Sequence, residues 1–70
     1  MISYRPFYAT LLQKNVTEYT LIFKHGVPPN TLQRMRHGKP ITTTTLNILC
    51  EILNCGVSDI LEYVSPETIE

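Results

Sequence analysis

Residues 17–39, TEYTLIFKHGVPPNTLQRMRHGK, decide how this chain is read. They predict two short helices joined by a turn at Gly26. Thr17 is placed to cap the first of them, and Leu21 and Ile22 are its core-facing candidates. Gly26 ends that helix, because glycine accepts the left-handed conformation just past a helix end. Pro28-Pro29 can open the next one, since amides at a helix start have no intrahelical partner to lose. From there Asn30, Gln33, Arg34 and His37 fall at i, i+3, i+4 and i+7, one face of a helix. Leu32 and Met35 point the other way. Asn, Gln and Arg side chains can make paired hydrogen bonds to base edges, so this stripe points to DNA recognition.

The segments on either side extend the helical pattern. A first helix is predicted over about 6–14, with Phe7 and Leu11, and Tyr8 and Leu12, spaced four apart. Beyond Gly38, Thr42 suits the N-cap of a fourth helix. Its Leu46, Leu49, Cys50 and Leu53 repeat at i, i+3, i+4 and i+7. Asn54-Cys55-Gly56 breaks that helix, and Ser58 is placed to cap a fifth carrying Ile60, Leu61 and Val64. No stretch alternates as a strand would. The expectation is an all-α, compact bundle of five short helices spanning 1–64, followed by a flexible tail over 65–70.

Seventy residues with 43% hydrophobic content make one small domain near the lower limit for a self-sufficient core. No apolar run approaches the roughly 18 residues of a membrane span, and the opening MISYRPFYATLLQKN lacks a continuous apolar leader segment. A cytoplasmic protein is expected. Net charge is zero, but its distribution is uneven. The first 40 positions carry +5 (six basic residues, one acid, Glu18) and the last 30 carry −5 (five acids, no Lys or Arg). Such a dipolar domain can turn a basic face toward phosphate.

Cys50 and Cys55 do not form a C-x-x-C pair, and on a continuous helix they would sit about 140° apart. They are read as free thiols without redox or zinc function, and His25 and His37 show no ligand spacing. Paired carboxylates in a plausible cleft and a phosphate-cradling glycine loop are both missing from the pattern, which argues against an enzyme. No metal, cofactor or small-molecule ligand is indicated.

Val16-Thr17, Leu21, Gly26-Val27, Leu32, Met35 and Gly38-Lys39, taken in order, resemble the Cro/repressor type of helix-turn-helix, the lambda-repressor-like or XRE-type family. The segment TLNILCEILNCGVSDILEYV and the opening Ser3-Tyr4-Arg5-Pro6-Phe7 resemble a small bacterial and phage subgroup of it. The resemblance implies a transcriptional regulator that binds double-stranded DNA, with helix 3 (about 29–37) in the major groove and helix 2 over the backbone. It places Asn30, Thr31, Gln33 and Arg34 at or near base edges, with His37 ending the stripe. It places Thr17, Glu18 and Lys39 near phosphates, where the Glu18 carboxylate would repel and the charge of Arg36 suits a positioning contact. Ile48 and Ile52 give the fourth helix a second apolar side, and Tyr63 lies near the same end in sequence. These three form a possible dimer surface, and a homodimer is expected. The carboxylate of Glu18 and the two prolines, which remove amide donors at the reading helix's tip, motivate an alternative. In it the fold serves mainly as a protein-interaction module, for example with another regulator or a toxin.

Overall fold

The computed structural model describes residues 1–66. Four α-helices carry the fold: α1 (Arg5–Gln13), α2 (Glu18–Phe23), α3 (Pro29–Arg36) and α4 (Thr43–Leu53). The all-α class holds, with one change at each end of the chain. Ile2–Ser3 (β1) and Glu62–Tyr63 (β2) pair antiparallel, Ile2 opposite Tyr63 and Ser3 opposite Glu62.

That pairing corrects two expectations, the fifth helix and the lack of strands. Within the segment expected to form it, Val57–Asp59 coils as a single 3₁₀ turn, so the described residues hold four α-helices rather than five. A longer helix would need the carbonyls of Asp59 and Ile60 for its own amides four residues on. Both are already engaged by α1. The Thr10 hydroxyl donates to the Asp59 carbonyl at 2.7 Å, and the Phe7 amide donates to that of Ile60 at 3.1 Å. Val64 turns its amide to the Met1 carbonyl instead (2.7 Å), and the Met1 amine returns a bond to the Val64 carbonyl (2.6 Å). Gly56, not Ser58, precedes the turn, its amide held by the Asp59 carboxylate at 3.1 Å. Of the flexible tail expected over 65–70, residues 67–70 lie outside the described residues.

The helix boundaries follow their local chemistry. Thr17 and Thr42 cap α2 and α4 as expected, each hydroxyl accepting an amide three residues on at 3.1 Å. Pro29 is the first residue of α3 and Pro28 its cap. Three helices end in the same reversal. The residue after the turn donates its amide five positions back: Val16 to Leu11, Lys39 to Arg34 and Cys55 to Cys50. Asn15, Gly38 and Asn54 supply the left-handed residue that such a reversal requires.

The core collects a stripe from each α-helix (Phe7 and Leu11, Leu21, Leu32 and Met35, Leu49 and Leu53) and adds Tyr4, Val27 and Ile60 from the segments around them, all buried. Leu12 departs from the expected pairing with Tyr8 and is 84% exposed. Thr10 is the buried polar residue of this core among the described residues. Thr10→Val should cost about 0.5–1.5 kcal/mol, because it removes the part-buried bond to the Asp59 carbonyl while keeping the side-chain volume. Urea unfolding of the two proteins checks this, and equal midpoints would rule it out.

Candidate nucleic-acid interface

The α2–turn–α3 unit is set by its buried side. Leu21 on α2, Val27 in the turn and Leu32 and Met35 on α3 fix the two helices on the core. The Val27 amide, donated to the Leu21 carbonyl at 2.9 Å, closes the turn. The stripe expected from spacing is outward: Asn30, Gln33 and Arg34 on α3 and His37 at its C-cap are all exposed, as are Pro29 and Arg36. Thr31 is half-buried and borders a cavity of about 270 Å³ with His25, Val27, Pro28, Thr45 and Ile48. It is thus the least available of the five proposed base-reading residues.

Two of the cations have partners within the protein. Arg34 donates from Nη2 to the Pro40 carbonyl at 2.9 Å, which leaves its other guanidinium donors open. Arg36 pairs with Glu18, so an ion pair joins the C-terminal end of α3 to the start of α2. The Glu18 carboxylate is therefore accompanied by a cation rather than standing alone against a phosphate. Lys39 is exposed, and its backbone is held at both ends. Its amide goes to the Arg34 carbonyl (2.8 Å), and its carbonyl accepts the hydroxyl of buried Tyr4 (2.7 Å). Spacing alone gave Tyr4 no role; its aromatic ring with a polar tip, next to the start of a helix, was the available signal. Thr17 is exposed at the start of α2, with its hydroxyl engaged in the cap.

Tyr8 lies beside the Glu18–Arg36 pair. Burial raises its phenol above the usual range, Glu18 pushes in the same direction and Arg36 opposes. Its buried hydroxyl has no hydrogen-bond partner. A buried hydroxyl in that state costs about 1–3 kcal/mol of desolvation. Tyr8→Phe is accordingly expected to be neutral or stabilising by up to about 1 kcal/mol, and a thermal melt showing a clear loss would contradict it.

The proposed dimer residues are spread over the fold. Ile48 is 44% exposed and faces the cavity beside the α2–α3 turn, Ile52 packs half-buried against the core, and Tyr63 is exposed on β2. An apolar feature that periodicity did not single out sits on α2. Tyr19 and Phe23 stack with ring centroids 4.6 Å apart, both more than two-thirds exposed. The cysteine geometry also differs from the expected 140° separation. Cys55 lies past the end of α4, where the reversal at Asn54 brings it back over Cys50.

A family profile described as the Cro/C1-type helix-turn-helix DNA-binding domain matches residues 9–66. The chain belongs to that family. Among solved structures, the Cro/C1-type domain described here is similar to the transcriptional regulator VanUg. The TM-score is 0.81 at 27% sequence identity, over 90% of this chain and 84% of that one. No curated protein matches the chain. The matched span of this Cro/C1-type domain includes α2, the Gly26 turn and α3, the helix that carries most of the polar stripe. No helix among the described residues is long and apolar enough to cross a membrane.

Proposed function

We propose that this chain is a sequence-specific DNA-binding transcriptional regulator whose α3 enters the major groove. The observation that carries the reading is the exposed row Asn30, Gln33, Arg34 and His37 on the second helix of a helix-turn-helix unit, backed by buried Leu32 and Met35. Arg34 reads guanine through O6 and N7, and Asn30 and Gln33 read adenine edges. Thr31, at the inner margin of the row, contacts the base or sugar nearest the helix tip. Thr17 and Lys39 meet phosphates and set the register without selecting sequence. Arg36 uses one donor on Glu18 and offers the others to a phosphate. The protein acts as a homodimer on two half-sites about one helical turn apart, with Ile48 and Tyr63 as exposed apolar candidates for the contact and Ile52 supporting Ile48 from beneath.

The resemblance to a transcriptional regulator supports this reading. The Glu18–Arg36 pair weakens the main argument for a protein-interaction module, since it offsets the carboxylate at the start of α2. Selection of bound sites from random duplex, followed by titration at two salt concentrations, tests the proposal. A recovered motif with two half-sites, and affinity falling steeply with salt, is the expected result. Failure to enrich any sequence, with no binding at low salt, would reject it.

A further inference from the structure

The two cysteines meet at a place that the DNA-binding reading does not use. Cys50 is the residue of α4 whose carbonyl accepts the amide of Cys55, at 3.1 Å, across the left-handed turn at Asn54 (φ 51°). In this reversal the residue after the turn folds its side chain back onto the last helical turn. Bond lengths on either side of that hydrogen bond cap the Cα–Cα separation at about 7 Å, the outer limit for a bridgeable pair. The two side chains face the same side of the reversal, since both line one cavity there. Both thiols are free and half-buried. They share an open cavity of about 350 Å³ with Leu46, Asn47 and Val57, wide enough for a small reagent to reach them. Among the described residues no group of three or more His, Cys, Asp or Glu side chains could hold a metal ion. A protein metal site needs more donors than this pair supplies, so the chemistry open to two neighbouring sulfurs is a bond to each other.

We propose that Cys50 and Cys55 are a reversible redox modification site that closes as an intramolecular disulfide across the C-terminal turn of α4. The oxidant is a low-molecular-weight disulfide of the glutathione type. One protein thiolate attacks a sulfur of that disulfide, forms a mixed disulfide and expels one small thiolate. The second protein thiolate then attacks the protein-side sulfur and expels the other. Two electrons pass from the protein to the small disulfide, and the two protons lost by the cysteines are taken up by the two small thiolates. Burial raises the Cys55 thiol above its ordinary range, with Cys50 and then Asp59 of the 3₁₀ turn adding to the effect. Lys14, just past α1, opposes it. The thiolate is therefore scarce at neutral pH, and closure speeds up as pH rises.

The test is to incubate the whole protein with oxidised glutathione at several pH values, quench with acid, and read intact mass and alkylatable thiols. The expected product is a monomer lighter by two hydrogens, with both thiols protected. Its rate should be independent of protein concentration and rise about tenfold per pH unit below the thiol pKa. Reduction should restore both thiols, and Cys50→Ser and Cys55→Ser should each stop at a stable glutathione adduct. A wild-type protein that keeps a glutathione adduct, links into disulfide dimers, or retains two free thiols would overturn the proposal.

Discussion

Phe7→Ala is expected to destabilise the protein by about 3–5 kcal/mol. Phe7 is fully buried at the centre of the core, and its ring meets Tyr8 edge-on with centroids 5.0 Å apart. Its backbone amide also anchors the Ile60 carbonyl to α1. Removing a buried phenyl ring costs about 3–5 kcal/mol, as lost transfer energy plus the cavity left behind. A chain of this size has a net stability of about 4–10 kcal/mol in all. The substitution thus removes just under a third of the stability at the least and more than all of it at the worst. Circular dichroism melts should show the midpoint fall by more than about 12 °C. A fall of only a few degrees would mean that the core is not centred where the packing puts it.

Arg34→Ala is the substitution with the largest expected effect on function. The side chain is exposed and its one internal bond is to the Pro40 carbonyl, so its loss should leave the fold intact. If Arg34 grips a guanine, truncation costs about 1–3 kcal/mol at that base pair. Preference for guanine there should drop by about fivefold to 150-fold, with weaker penalties at other positions. Lys39→Ala should behave differently, weakening binding to every duplex alike and lowering the salt slope by about one. Anisotropy titrations against the selected site and its single-base variants separate the two patterns. An Arg34→Ala protein that keeps the wild-type ranking of those variants would remove Arg34 from the reading set.

The parts of the fold that could be read from sequence are those governed by local rules. Thr17 and Thr42 were recognisable as caps, Pro28-Pro29 as a helix start and Gly38 as a helix end, because each acts within four residues of itself. The stripe on α3 was equally readable, since outward Asn30, Gln33 and Arg34 are the complement of inward Leu32 and Met35. The missed features depend on residues far apart in the chain. Val57–Val64 has enough apolar residues for a helix, yet α1 takes its carbonyls through Thr10 and Phe7, and Met1 takes its last amide. No periodicity within that segment encodes such competition. The site shows the same division. Glu18 looked like a charge opposed to phosphate until Arg36, eighteen residues later, appeared beside it. Tyr4 looked unremarkable until its hydroxyl was found on the Lys39 carbonyl.

The β1–β2 pair joins residues about sixty positions apart, whereas the helices and their caps close over a few residues each. Loop closure over that span carries an entropy cost that the helical turns escape. The pair should therefore form after the bundle has collapsed and open before it melts. In native-state hydrogen exchange, the amides of Ser3 and Val64 would lose protection ahead of those of Leu32 and Leu49. Because Tyr4 directly follows β1 and is tied to the end of α3, fraying of this two-residue ladder would pass first to the backbone around Lys39. It would reach the interior of the reading helix only afterwards.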